Sequence, residues 1–169
     1  MSKPKLGDYG AFYETYIKLV GVDTAKEAVT TYAHPLCFFF VNLPEEKANY
    51  CYAEGKWSLK DLLQHMIDTE RVMCYRMMRI ARKDGTPLAG FDENLYAMNA
   101  CAGDRSFVSL KEEFRALRKS TDLLLQSLTE EQLNNEGTAN GHKITANALA
   151  FIIFGHLMHH KNIVEERYL

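Results

Sequence analysis

Phe154-Gly155-His156-Leu157-Met158-His159-His160 sits inside an apolar run that begins near Ala146 and continues to Tyr168. Wound as a helix from Thr145 to Arg167, this run places Leu149, Ile152, Ile153, His156, His160 and Ile163 on one stripe, at the three-and-four spacing of a core-facing surface. Two imidazoles thus occupy positions where aliphatic side chains belong. Residues one turn apart on one face can reach a single ion between helices, and they can equally be two hydrogen-bonded core residues. His159 turns toward the side of Gly155, Asn162 and Glu166 and reads as a rim residue.

The chain has 169 residues, enough to bury a proper core as one domain, 1–169, with 1–22 as an N-terminal arm. Its 47% hydrophobic and 25% charged residues are ordinary for a soluble globular protein. A net charge of -2 provides no basic footprint, which speaks against a nucleic-acid partner. The apolar runs Leu36–Val41 and Ala148–Phe154 are too short to span a bilayer, and the first ten residues lack an apolar signal core, so no membrane role and a cytoplasmic location are expected. Cys37, Cys51, Cys74 and Cys101 form no C-x-x-C pair and are expected to be reduced, mostly buried thiols.

Tyr9 to Val20 carries Tyr9, Phe12, Tyr13 and Tyr16 and reads as a short helix packing as a lid or arm, its aromatics core or subunit contacts rather than a ligand cage. Thr24 with Glu27 makes a capping box, opening a helix through Ala28, Tyr32, Leu36 and Phe39 to Val41. Pro35 inside it predicts a kink or local break. Ser58 is the expected N-cap of a second helix, with Asp61 in its first turn, running to about Lys83, where Asp84-Gly85-Thr86-Pro87 stops it. A capping box at Ser109 and Glu112 opens a third helix with the stripe Leu110, Phe114, Leu117, Thr121, Leu124 and Leu128. Thr129 to Leu133 adds a short helix. Leu88 to Phe107 reads as a long connection with one helical turn near Glu93–Cys101, of a length that often walls a pocket. Gly137-Thr138-Ala139-Asn140-Gly141-His142 reads as a turn-rich connector, and no strand alternation competes anywhere.

Four long amphipathic helices predict an all-α four-helix bundle, whose metal sites are built from inward-facing side chains of different helices. The second helix supplies His65, on a stripe with Leu62, Thr69, Val72, Met73, Arg76 and Ile80. His65, His156 and His160 are therefore the candidate metal ligands. Asp61 and Asp68 flank His65 at i−4 and i+3 and either hold its free N–H or are solvated helix charges. Cys74 lies on the opposite side of the helix, and His142 has no ligand-quality context. Arg76 and Arg79 either hold an anionic substrate or pair with carboxylates of a neighbouring helix.

Gly55-Lys56-Trp57-Ser58, then His65-Met66-Ile67-Asp68-Thr69-Glu70-Arg71, then Gly155-His156-Leu157-Met158-His159-His160 resemble the DinB-like superfamily, which includes YfiT-type metal-dependent hydrolases. Similarity extends to Thr86-Pro87-Leu88, Gly90-Phe91-Asp92-Glu93, Gly137-Thr138-Ala139-Asn140-Gly141 and Glu166-Arg167-Tyr168-Leu169. The resemblance implies an up-down-down-up bundle, a homodimer, and a divalent ion on three histidines matching His65, His156 and His160. His159 matches a companion histidine that is not a ligand.

Three neutral imidazoles leave an ion its full charge and an open position, the pattern of a catalytic site, and zinc or nickel suit nitrogen ligands best. The small-molecule substrate is then either hydrolysed by activated water or, as in mycothiol- and bacillithiol-using relatives, attacked by a low-molecular-weight thiol in a transferase or isomerase. A dimeric module that binds metal or ligand without turnover is a third reading. No separate general base is evident.

Overall fold

The structure is a computed structural model that describes residues 2–169. In chain order its elements are α1 (Glu14–Leu19), α2 (Ala25–Val41), α3 (Leu59–Ala81), α4 (Glu93–Ala100), α5 (Phe107–Ser127), α6 (Glu130–Asn134), strands β1 (Glu136–Ala139) and β2 (His142–Thr145), and α7 (Ala146–Arg167). The four long helices α2, α3, α5 and α7 form the bundle. α3 packs on α7 and α5, and α2 packs on the same two, so the consecutive helices α2 and α3 lie across the diagonal. This is the up-down-down-up arrangement, in which α3 and α5 run side by side in the same direction. Such a pair needs a connection able to return the length of α3, about 34 Å for 23 residues. The segment between Ala81 and Phe107 provides it, and carries α4 on the way.

Local signals set most of the helix ends. Thr24 and Glu27 form the predicted capping box of α2, Ser58 is the predicted N-cap of α3 and makes a capping box with Asp61, and Thr129 and Gln132 form a further box at α6. The Thr145 side chain caps α7 by accepting from Ala148 N. α5 begins one turn earlier than expected, because Ser106 rather than Ser109 is its N-cap, which brings Phe107 into the helix and the core. α2 continues through Pro35 without a break, forgoing the hydrogen bond that a residue with an N–H would donate to the Thr31 carbonyl. The expected connector at 137–142 is a β-hairpin, with Glu136 opposite Thr145 and Ala139 opposite His142. Its turn is Asn140-Gly141, both at positive φ (51° and 74°), the backbone that a two-residue hairpin loop requires. Leu88 bonds to this hairpin through Thr138 O and Asn140 N, tying the α3–α4 connection to it.

α7 is buried on all sides from Ala146 to Leu157, more than the single stripe predicted. Small residues make this possible. Gly155 lets the backbone of α1 approach so closely that a methyl group there would stand 2.2 Å from the Tyr16 carbonyl oxygen. On α5 the buried stripe runs Leu110, Phe114, Arg118, Thr121, Leu125 and Leu128, leaving Leu117 and Leu124 only half-buried. Arg118, 1% exposed, donates to Glu70 Oε1 of α3 at 2.8 Å, pairs with Asp122, and holds its guanidinium 5.1 Å from the Phe154 ring centroid of α7. One cation thus joins three helices. The four cysteines are free thiols, Cys37 and Cys74 half-buried but Cys51 and Cys101 exposed, contrary to the expectation of burial. No helix among the described residues is long and apolar enough to cross a membrane.

Candidate metal centre and its cavity

α3 delivers His65 and α7 delivers His156 and His160 to one point between the two helices. His156 Nε2 lies 3.1 Å from His65 Nε2 and 3.0 Å from His160 Nε2, and the three donor atoms fall within 4.8 Å of one another. All three rings are buried, 9%, 6% and 7% exposed for His65, His156 and His160. Burial, which penalises the charged form, is the largest influence on each. It lowers His65 to about 4 and His160 to about 3, with neighbouring histidines adding to the effect, and pushes His156 well below its ordinary value. At neutral pH the rings are therefore neutral, each with one unprotonated nitrogen able to bind an ion.

This donor set fits a divalent ion. Nitrogen ligands about 2.05 Å from a tetrahedral ion stand about 3.3 Å apart, close to the spacings here. Two converging lone pairs repel unless a proton or a cation lies between them, and His156 Nε2 can give at most one proton to its two neighbours. His160 Nδ1 is buried without a hydrogen-bond partner. The carboxylates flanking His65 are engaged elsewhere: Asp61 accepts from Ser58 N and Oγ at the helix cap, and Asp68 accepts from Gln64 Nε2. Ring packing does the orienting instead, with Trp57 4.7 Å from His65 and Tyr16 edge-on at 5.5 Å from His156.

The histidines form one end of a cavity of about 350 Å³, whose walls include Phe12, Tyr13, Tyr16, Trp57, Thr69, Met73, Arg76 and Phe91. Of the arm's aromatics, Tyr9 is buried in the core as expected, whereas Phe12, Tyr13 and Tyr16 are cavity walls. Phe91 and Glu93 come from the α3–α5 connection, which does wall the pocket, and Asn140 from the hairpin turn. His159 is half-buried beside Tyr16 at the rim, and His142 is exposed and packs on Phe12. Arg79 pairs with Asp84 and Tyr75, so it does not face the cavity, whereas Arg76 does. Trp57 and Tyr13 were not legible as cavity residues, although Trp57 stands one residue before the cap of the helix that carries His65.

The lowered values of the histidines have a consequence for stability. Between pH 6.5 and about 4 the unfolded chain binds protons that the folded, metal-free chain refuses, so stability falls as pH falls, by about 1.4 kcal/mol per pH unit for each buried ring. Urea unfolding of chelator-treated protein at pH 7 and pH 5 is expected to show a lower midpoint at pH 5. The same pair of measurements on His65→Ala should show a smaller difference; an equal one would mean the ring titrates normally.

The model of the DinB superfamily matches residues 36–164 of the chain. Among solved structures, YfiT from Bacillus subtilis, described as a probable metal-dependent hydrolase with an unusual four-helix bundle topology, is similar with a TM-score of 0.71 at 16% identity, over 97% of this chain and 90% of that one. The mycothiol-dependent maleylpyruvate isomerase is similar with a TM-score of 0.67 at 16% identity over 88% of this chain, which spans 62% of the isomerase. The DinB-like protein YjoA of Bacillus subtilis is similar with a TM-score of 0.59 at 18% identity, over 84% of this chain and 87% of that one. No curated protein matches by sequence. With three quarters of its length matched and the same bundle topology in its structural neighbours, the chain belongs to the DinB superfamily.

Proposed function

We propose that this protein is a metal-dependent enzyme in which His65, His156 and His160 hold one divalent ion, zinc or nickel, that activates water to hydrolyse a small molecule. The observation that carries this reading is the convergence of three neutral, buried imidazoles at one end of an open cavity, since three nitrogen ligands leave a position free for exchange. When bound, the ion supplies Lewis acidity, lowering the pKa of a water or thiol toward neutrality. The chain's own residues do the rest. Its three imidazoles add no negative charge. Tyr16 and Trp57 hold the ligand rings in place, and Tyr13 and Phe91 give the substrate an apolar wall that limits water.

A second reading, in which a low-molecular-weight thiol replaces water, is favoured by the lack of a general base. Among the described residues Glu93 is the one carboxylate lining the cavity, and it is exposed. A thiol near pKa 8.5 needs only a modest shift to ionise at neutral pH, while water starts far higher. The likeness in fold to a mycothiol-dependent isomerase supports this version.

The deciding experiment measures turnover of a panel of aryl esters, amides and maleate-type electrophiles by zinc- and nickel-loaded protein, with and without a small thiol, beside His65→Ala. Turnover at least 100-fold above the variant and quenched by thiol is the result expected of the hydrolase; dependence on thiol selects the second reading. Equal rates for wild type and variant across the panel would overturn both and leave a metal-binding module without turnover.

A further inference from the structure

Arg76 lies eleven residues beyond His65 on the same stripe of α3, is 3% exposed, and lines the same cavity. Its surroundings are unusual for a buried cation. Nη2 donates to the Ala89 carbonyl at 2.5 Å, Nη1 approaches Met73 Sδ at 3.8 Å, and the guanidinium lies 5.7 Å from the Phe91 ring centroid. Among the described residues no carboxylate stands within salt-bridge distance of it. The other buried cations are neutralised, Arg118 by Glu70 and Asp122 and Lys111 by Glu45. An isolated buried charge costs several kcal/mol, and folds normally remove that cost with a partner of opposite sign. Here the partner is missing and the charge faces an open cavity.

We propose that Arg76 is the anion-binding end of the substrate cavity, and that the substrate is an elongated acid: a carboxylate at Arg76, an apolar or aromatic middle, and the reacting group at the histidines. The guanidinium has five N–H donors; Ala89 O and Met73 Sδ accept one each and the Tyr13 hydroxyl hydrogen-bonds the group as well, which leaves two N–H for a carboxylate. Tyr13, whose phenol lies beside Arg76 and stays protonated because burial raises its pKa, adds a donor. Glu93 shares the cavity but is exposed, where solvent screens its charge. Eleven residues separate the Cα atoms of His65 and Arg76 by about 16 Å along the helix axis. The Arg76 side chain folds back over Met73, toward the N-terminus of α3, shortening the span to on the order of 10 Å. An aromatic ring with a short linker fills that distance against Tyr13, Tyr16 and Phe91. The position of the reacting group rests on the metal-dependent reading; the anion site does not.

The test uses two ligands of equal shape, 4-phenylbutyrate and the neutral 4-phenylbutan-1-ol, titrated into metal-free and zinc-loaded protein. Trp57, the single tryptophan and itself a cavity wall, reports binding by its fluorescence. Metal-free wild type is expected to prefer the carboxylate by tenfold or more. Arg76→Met should erase that preference while leaving alcohol affinity within about twofold, and Arg76→Lys should keep part of it. His65→Ala should retain the preference, so a failed metal site and a failed anion site give different patterns. Three results would overturn the assignment: no preference in metal-free wild type, equal loss of both ligands in Arg76→Met, or a preference that needs zinc and survives that variant. Should Arg76→Met fail to fold, an undiminished preference in Arg76→Lys together with wild-type affinity for both ligands in Tyr13→Phe overturns it as well.

Discussion

His156→Ala is expected to yield protein without a divalent ion, whereas His159→Ala keeps about one equivalent per chain. The difference follows from position. His156 Nε2 is the middle of the three donors, within 3.1 Å of both others, so its loss leaves His65 and His160 with a gap between them rather than an adjacent pair. His159 stands one residue from His160, but its ring is half-buried against Tyr16, outside the cluster. Losing an outer partner of a metal ligand commonly lowers affinity 10- to 100-fold, so loss of the central ligand should exceed roughly 100-fold. Elemental analysis of tag-free protein purified without chelator, followed by zinc titration, measures this directly. Equal losses from both variants would sink the ligand assignment. A wild type that is empty and also refuses zinc, nickel and manganese would make the three histidines polar core residues.

The second large effect belongs to the buried ion pair. Arg118→Met should lower stability by about 3–5 kcal/mol, because it leaves Glu70 charged inside the bundle with its remaining oxygen, Oε2, already without a partner. At the size of this chain that corresponds to roughly 10 °C in thermal midpoint. The double variant Arg118→Met, Glu70→Met should recover much of the loss, since the cost lies in the uncompensated charge more than in the pair itself. Thermal and urea unfolding of the three proteins checks the pattern. A double variant less stable than the single one would show instead that the pair contributes net attraction.

Much of this was legible in the sequence wherever the signal is local. The caps at Thr24 and Ser58 and the three-and-four spacing of His156 and His160 depend on neighbours in the chain, and each appears where its pattern puts it. What sequence could not reveal depends on distant contacts. Arg118 takes a place in the α5 stripe that the spacing assigns to Leu117, because Glu70 on another helix, with Asp122 one turn on, makes a buried guanidinium tolerable. The hairpin was hidden by its brevity: four residues per strand are too few for alternation to show, although Asn140-Gly141 is the dipeptide that such a turn favours. The cavity walls from the arm follow from the fit of Tyr16 against Gly155, which no periodicity announces.

That fit brings a second stretch of the chain to the cavity. The three histidines and Arg76 all fall within residues 36–164, the stretch shared with the superfamily, whereas Phe12, Tyr13 and Tyr16 come from upstream of it. Seating the arm in the notch at Gly155 therefore finishes the cavity beside His156 with walls from outside that shared stretch. Exchanging this arm for another would therefore alter two things at once, the cavity walls at Phe12 and Tyr13 and the Tyr16 ring that packs edge-on against His156.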